Sequence, residues 1–134
     1  MQSEGWITAE GVLAPEHDAA KKHWGGDWRM PTDGELELLN RECDWTWGSM
    51  NGVNGYIVRG RGSYASNSIF LPCAGYGFGT SFYDACSDGD YWSSVPVSDD
   101  YSAWYLYFDS GGHYSSGDLR YVGQSVRPLQ GFTK

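Results

Sequence analysis

The clearest alternation of apolar and polar positions in the chain lies in residues 103–109. With the two-residue period of a β-strand, one face of this run carries the apolar residues Trp104, Leu106 and Phe108. The other face carries two tyrosines, a small residue and a carboxylate, where an ordinary solvated strand carries Thr, Lys and Glu: Ala103, Tyr105, Tyr107 and Asp109. The pattern predicts a strand that is buried on one side and rich in tyrosine on the other.

Two helices are predicted in the first third of the chain, and none in the remainder. The first covers residues 15–24, because a proline opens this run, acidic residues follow it, and basic residues precede Gly25-Gly26. The second begins at Thr32, whose hydroxyl and the Glu35 carboxylate have the spacing of a capping box. Its core stripe is formed by residues spaced at helical intervals: Leu36, Leu39 and Cys43.

The remainder of the chain is predicted to consist of short strands joined by turns. Asn54-Gly55 is a two-residue hairpin signal and precedes an apolar strand over residues 56–60. A second buried strand is predicted over residues 68–72. The glycines at positions 75, 77 and 79 lack the lysine and the following helix of a phosphate-binding loop, so an aromatic-anchored loop is expected there.

Length and charge narrow the possible partners. A chain of 134 residues is expected to form one domain, residues 1–134, with a core of its own. The formal net charge of -8 and the sequence pI of about 4.6 disfavour nucleic acid and anionic membranes as partners. No apolar run approaches the ~20 residues of a membrane span, and the opening residues do not form a signal peptide. We expect a cytosolic or virion protein, or part of a longer chain.

Residues 91–121 have the composition of a recognition surface. They contain six of the ten tyrosines together with many Ser, Gly and Asp residues, and they lack Lys, Glu, Met, Asn, Thr and Ile. Recognition loops combine rigid amphipathic rings with small, adaptable polar groups in this way. The alternative interpretation is that a β protein places its tyrosines at half-buried structural positions.

Candidate catalytic and metal-binding groups are few. The acidic pair Asp99-Asp100 points to opposite faces if it lies on a strand, and such pairs are typical of solvated turns. Asp84, Asp88 and Asp90 lack the dense spacing of a calcium loop, and the three cysteines lack the spacing of a zinc site. Because no nucleophile or acid–base pair has an environment to tune it, we expect no catalysis, no cofactor and no metal.

Five motifs follow one another along the chain, and as a set they resemble a known family. They are Trp28-Arg29-Met30-Pro31-Thr32, Asn54-Gly55-Tyr56, Phe70-Leu71-Pro72-Cys73-Ala74-Gly75-Tyr76, Tyr91-Trp92-Ser93-Ser94 and Ser125-Val126-Arg127. The chain resembles the Fibrobacter succinogenes major paralogous domain, a family of C-type-lectin-like modules on bacterial surface proteins. The resemblance covers nearly the whole chain and implies an α+β fold, in which two N-terminal helices pack on a small twisted antiparallel sheet with long loops.

The cysteines depart from this family, which has small residues where the chain has Cys73 and Cys86. The two cysteines flank a glycine-rich loop and would close it as a disulfide in an exported protein, and the departure favours that bridge. In an oxidised sample we expect Cys43 to remain a free, buried thiol on the second helix. Two small buried thiols at positions 73 and 86 are the alternative.

Some members of this lectin-like group are variable proteins of diversity-generating retroelements, in which Asn codons of a template become any NNC triplet. Such triplets encode Tyr, Ser, Asp, His, Gly, Leu or Val but never Lys, Glu, Gln, Met or Trp. Many of residues 98–122 are of types that NNC triplets encode. The resemblance implies a non-enzymatic module that binds a protein or glycan on a cell surface, displayed on a bacterium or phage virion. A structural or adhesin repeat of a bacterial surface protein is the alternative. The expected ligand-binding residues are Ser98, Asp99, Asp100, Tyr101, Ser102, Ala103, Tyr105, Tyr107, Asp109, His113, Tyr114, Ser115, Ser116, Asp118 and Tyr121.

Two expectations concern the arrangement of these residues in space. The outward side of residues 103–109 is expected to form one contiguous aromatic and acidic patch with Tyr101, His113, Tyr114 and Tyr121. The core is expected to bury six residues together: Trp28, Trp92, Trp104, Leu106, Phe108 and Val126.

Overall fold

The computed structural model describes residues 4–99 and 101–130. Within these residues it is a mixed α/β protein with two α-helices and mostly antiparallel strands, in agreement with the α+β class. The helices are α1 (Ala19–Trp24) and α2 (Asp33–Glu42), and a 3-10 turn covers Gly62–Tyr64. The strands are β1 (Trp28–Arg29), β2 (Asp44–Met50), β3 (Val53–Arg59), β4 (Ser68–Pro72), β5 (Tyr76–Phe78), β6 (Ser81–Tyr83), β7 (Gly89–Pro96), β8 (Ser102–Asp109), β9 (Gly112–Leu119) and β10 (Leu129–Gln130). Neither described helix has the length and apolar character needed to cross a membrane.

Helix α1 begins later than the sequence predicts. Residues 15–17 form a turn, and the N–H of Asp18 donates to the carbonyl of Ala14 at 3.1 Å. The Asp18 carboxylate caps the helix by accepting from the N–H of Lys21 at 3.0 Å. Because aspartate satisfies an orphan N–H better as a cap than inside a helix, the first helical turn starts after it. The predicted end is confirmed, since Gly25 follows the helix with a φ of 66°.

Helix α2 begins at the predicted capping box. The Thr32 hydroxyl accepts from the N–H of Glu35 at 3.2 Å, and the Glu35 carboxylate accepts from the N–H of Thr32 at 2.8 Å. The same carboxylate receives two hydrogen bonds from the Arg29 guanidinium, at 2.8 and 2.5 Å. Leu36 lies in the core and Leu39 packs against it, so the predicted apolar stripe faces inward.

Strands β2, β3 and β4 form one antiparallel sheet. The turn between β2 and β3 lies at Asn51 and Gly52, whose φ angles of 52° and 80° suit a two-residue hairpin. The predicted hairpin at Asn54-Gly55 is wrong, because both residues lie inside β3. Gly55 is required there for another reason: a Cβ at this position would lie 2.2 Å from the carbonyl oxygen of Leu71. Strand β4 matches its predicted range.

Strands β7, β8 and β9 form a second antiparallel sheet, whose inner side faces the core. Helix α2 contacts all three of these strands. The core cluster draws residues from α2, β3, β4, β7 and β8, and from the segment that follows β4: Leu36, Tyr56, Val58, Leu71, Cys73, Tyr91, Leu106 and Phe108. The buried side predicted for residues 103–109 is therefore confirmed at its two innermost positions.

The predicted core is only partly correct. Of the six residues expected to be buried together, two lie in the core cluster: Leu106 and Phe108. The other four are half-buried and lie outside that cluster: Trp28, Trp92, Trp104 and Val126. Trp92 is excluded because Tyr91 takes the inward position of β7, and neighbouring strand residues point to opposite sides. Trp28 instead packs edge-on against Trp24, with ring centroids 4.9 Å apart.

Candidate functional site

Cross-strand pairing gathers aromatic and acidic residues on the outer side of the second sheet. Tyr107 lies opposite Asp90 in β7 and opposite Tyr114 in β9, and Tyr105 lies opposite Trp92. Residues directly opposite each other in an antiparallel sheet project from the same side. We call this side the tyrosine face; it consists of Asp90, Trp92, Ala103, Tyr105, Tyr107, Asp109, Tyr114, Ser116 and Asp118.

The hydroxyl of Tyr107 lies between two carboxylates. It donates a hydrogen bond to Asp109 Oδ2 at 3.2 Å. The pKa of Tyr107 is raised first by burial, and then by the negative charges of Asp88 and Asp109. Asp109 is held in place from its other oxygen, which accepts from the N–H of Gly111 at 2.7 Å. The ring of Tyr107 packs against that of Tyr114, with centroids 5.0 Å apart.

Tyr105 has a similar environment at the next row of the sheet. Burial raises its pKa to about 12, and the negative charges of Asp118 and Asp90 act in the same direction. Its ring meets the Trp92 ring at an angle of 63°, with centroids 6.0 Å apart. Both tyrosines of β8 are half-buried, so each presents part of its ring while its hydroxyl faces an acidic neighbourhood.

Asp90 is the most unusual residue of the tyrosine face. Only 4% of its surface is exposed, and its Oδ2 atom is buried without a hydrogen-bond partner among the described residues. Burial raises the pKa of Asp90 to about 6, and the carboxylates of Asp88, Asp118 and Asp84 contribute in the same direction. A buried carboxylate oxygen that receives no hydrogen bond is costly, which makes this residue a candidate for a functional role.

An open groove lies beside the tyrosine face, at Asp109. Its volume is about 640 Å³, and polar side chains form most of its wall. The carboxylates of Asp88 and Asp109 line it, and the indole of Trp47 forms an aromatic part of the wall. The remaining lining residues are Asn54, Cys86, Ser87, Ser110 and Gly111. The groove thus joins strands β2 and β3 to the turn after β8, a combination that is not visible in the sequence.

The glycine-rich segment forms a short hairpin of β5 and β6 beside the same face, rather than the loop expected from the sequence. Gly77 and Gly123 exchange two backbone hydrogen bonds of 2.7 Å, which tie the hairpin to the chain after β9. Phe78 packs against Tyr121, with ring centroids 5.7 Å apart, and Phe82 is 85% exposed. These exposed rings were missed as site candidates, although the alternation of aromatic residues and glycines in this segment is a visible signal.

The loop between β7 and β8 lies at the end of the sheet and carries the first of the expected binding residues. Asp99 Oδ1 accepts from the N–H groups of Tyr101 and Ser102, at 2.7 and 2.6 Å. The N–H of Arg120 donates to the carbonyl of Tyr101 at 2.9 Å, which brings Tyr101 and Tyr121 to the same end of the sheet. These two tyrosines are 70% and 68% exposed. Ser98 is also exposed. Asp100 lies outside the described residues.

Three expected binding residues lie on the other side of the sheet, and the first is Ser102, which stands opposite Leu119 in β9. His113 stands opposite Phe108, and its ring stacks on Trp45 with centroids 4.0 Å apart. Its Nδ1 atom is 2.9 Å from Asn40 Oδ1, and the Asn40 amide donates to the Ser115 hydroxyl at 3.4 Å. The outward patch therefore does not include Ser102, His113 or Ser115. The register of β9 decides this, because Tyr114 and Ser116 take the outward positions between and beside them.

The cysteines are free thiols in this structure. The N–H of Cys86 donates to the carbonyl of Cys73 at 3.0 Å, so the backbones of the two residues are neighbours. Cys73 is buried in the core, and burial raises its pKa to about 11, whereas Cys86 is exposed. Cys43 is half-buried and follows the last residue of α2 rather than lying within the helix.

No group of three or more His, Cys, Asp or Glu side chains within residues 4–99 and 101–130 is arranged to hold a metal ion. Asp84, Asp88 and Asp90 influence one another electrostatically without forming such a group. Comparison of the chain with protein-family models, with curated proteins and with solved structures finds no match.

Proposed function

We propose that the chain is a non-enzymatic recognition module with a C-type-lectin-like fold, which binds its ligand through the tyrosine face and the adjoining loop. The observation that carries the proposal is that alternate residues of β8 face the core and the outer side of the sheet. Leu106 and Phe108 are 1% and 0% exposed and belong to the core, while Tyr105 and Tyr107 point to the other side. A strand built in this way keeps its fold while its outer residues change, as a recognition surface requires.

The composition of the outer positions supports a diversified binding face of the kind found in retroelement variable proteins. On this proposal the ligand is a protein or glycan on a cell surface, and the module is displayed on a bacterium or a phage virion. His113 and Ser115 are excluded from the ligand contacts, since both face Asn40 on the inner side. The proposed contacts are the outward residues of the tyrosine face together with Tyr101 and Tyr121.

The proposal is tested at the level of the gene. The DNA around the coding sequence is examined for a reverse transcriptase and for a near-copy of the segment that encodes residues 98–122. Isolates are then compared, and we expect their differences to be confined to codons for outward residues. Unchanged codons for Leu106 and Phe108 serve as the internal control. Variation spread evenly over core and surface codons would contradict the proposal.

A structural or adhesin repeat is the second candidate, and the β5–β6 hairpin favours it. Phe82 is 85% exposed and Phe78 is 49% exposed, and both lie outside the segment of variable composition. Exposed rings of this size are often covered by a neighbouring domain. Tandem copies of the module in one long chain, without a reverse transcriptase nearby, would favour this function over the first.

A further inference from the structure

The groove and the tyrosine face both carry carboxylates. Four carboxylates belong to them: Asp88, Asp90, Asp109 and Asp118. The described residues that line the groove or form the face include no Lys or Arg. Arg120 approaches the far end of the sheet, where its guanidinium donates to the backbone carbonyls of Ser102 and Asp99. The local charge is therefore strongly negative.

The Tyr107 hydroxyl donates a hydrogen bond to Asp109 Oδ2 at 3.2 Å. Tyr107 lies near Asp88 and Asp109, and Tyr105 lies near Asp118 and Asp90. A carboxylate can accept several hydrogen bonds, but a tyrosine hydroxyl donates only one. Asp109 accepts one hydrogen bond at each oxygen, from Tyr107 and from the N–H of Gly111, and a carboxylate oxygen can accept a further one. A ligand that brings donors and positive charge would use this capacity and offset the negative charge.

Asp90 adds a buried carboxylate close to Asp88. It is 4% exposed, projects on the same side of the sheet as Tyr107, and has one oxygen without a partner among the described residues. An asparagine would satisfy the same space without burying a charge. A carboxylate in this position adds to the negative charge around Asp88, which lines the groove, and charges interact more strongly where water is excluded.

The aromatic rings around the carboxylates are suited to the same partner. Trp47 forms part of the groove wall, and the rings of Tyr107 and Tyr114 pack side by side at 5.0 Å. The faces of indole and phenol rings attract cations, and arginine stacks on them as well. A site that combines ring faces with carboxylates differs from a metal site, which needs several oxygens around one point.

We propose that the acidic groove and the adjoining tyrosine face bind an arginine or lysine side chain of a protein partner. The proposal rests on the proposed recognition function and adds the chemical class of the partner. Its side-chain stem lies along the indole of Trp47, and its cationic end lies at the carboxylates of Asp88 and Asp109, which line the groove. The overall charge of -8 also attracts a basic partner over longer distances. A neutral glycan offers hydroxyl groups but no positive charge to offset that of the carboxylates.

The direct test is an NMR titration of the isotope-labelled chain with N-acetyl-arginine methylamide. The chemical shifts of the backbone and indole N–H groups are recorded at each ligand concentration. The matched probe is the citrulline analogue, which has the same shape without the charge. We expect shifts at Trp47 and Gly111 with the arginine probe, and binding weaker by about tenfold or more with citrulline. Equal binding of both probes, or no shift with arginine up to its solubility limit, overturns the proposal. Shifts of the same resonances with calcium chloride but not with arginine overturn it as well.

Matched variants locate the site. The double variant Asp88→Asn, Asp109→Asn should lose the arginine shifts, and the amide introduced at position 109 retains an oxygen that can accept from the N–H of Gly111. The control Glu16→Gln, Glu37→Gln removes the same charge from exposed positions away from the groove and should bind like the parent chain. Loss of binding in the control to the same degree would show a general charge effect and contradict the site. The dispersion of the amide resonances confirms folding of each variant.

A second experiment separates this proposal from the function on which it rests. Random peptides displayed on phage are selected on the parent chain, and each binder is retested on the variant Tyr101→Ser, Tyr114→Ser. Binders that depend on these tyrosines and are enriched in Arg or Lys support both proposals. Binders that depend on the tyrosines without that enrichment overturn only the cationic partner. If no binder depends on the tyrosines, the recognition function itself is wrong.

Discussion

The ring of Phe108 occupies the space that a side chain at position 89 would need. The two residues are cross-strand partners in β7 and β8, and a Cβ on Gly89 would lie 2.0 Å from the Cζ atom of Phe108. Phe108 is 0% exposed, so its ring has no free space into which it can retreat. This contact anchors the inner side of the strand whose outer side carries Tyr105 and Tyr107.

The first prediction follows from this contact. Replacing Gly89 by alanine is expected to lower the free energy of unfolding by about 2–3 kcal/mol, because the ring must leave its position or the strands must separate. Urea denaturation followed by tryptophan fluorescence measures the change. The control is Gly112→Ala in the same sheet, where an added Cβ meets nothing within 4 Å. Equal stability of the two variants would show that the packing around Phe108 is loose.

The second prediction concerns the pH dependence of stability. The pKa of Asp90 is raised to about 6 in the folded state, so the folded protein binds more protons than the unfolded chain between pH ~4 and ~6. Stability from this group therefore falls as the pH rises through that window, by up to about 3 kcal/mol. Asp90→Asn should raise the melting temperature at pH 7.5 and change it little at pH 4. A variant that is less stable than the parent at both pH values would refute this assignment.

The third prediction separates binding tyrosines from structural ones. Tyr101 and Tyr114 are 70% and 55% exposed, so replacing both by serine should abolish partner binding and leave the melting temperature nearly unchanged. The matching double variant of Tyr105 and Tyr107 should lose binding and also about 1–3 kcal/mol of stability, because these rings are half-buried. Differential scanning calorimetry measures the stability of both variants, and calorimetric titration with a selected peptide measures their binding. If the exposed pair proved as costly as the half-buried pair, Tyr101 and Tyr114 would be structural.

The fourth prediction concerns the thiols. In the reduced protein, iodoacetamide at pH ~8 should modify the exposed Cys86 first and Cys73 last, because Cys73 is buried and its pKa is raised to about 11. In an oxidised sample we expect Cys73 and Cys86 to form a disulfide, since their backbones are already neighbours. Peptide mapping by mass spectrometry follows both reactions. A disulfide to Cys43 instead, or rapid modification of Cys73, would contradict this arrangement.

Local chemistry determined several features that the sequence predicted. The capping box of Thr32 and Glu35 starts α2 where it was expected, because both hydrogen bonds join residues three apart and need no distant partner. The alternation in β8 likewise decides which of its residues face the core. Strand β4 matches its predicted bounds because its apolar run follows polar residues and ends at Pro72, which has no N–H to donate to a sheet. The sequence pattern thus predicts that Leu106 and Phe108 face the core and that Tyr105 and Tyr107 face the other side of the sheet.

Only the tertiary structure decided which residues form the site. His113 faces Trp45 and Asn40 because the register between β8 and β9 is set by pairing over the whole hairpin, and a shift of one residue would turn it outward. The groove joins Trp47, Asp88 and Asp109, which are distant in the chain and come together through packing of separate sheets. The burial of Asp90 has the same origin. The free-energy cost of burying a carboxylate depends on the groups that surround it in space. No local pattern of the sequence records those surroundings.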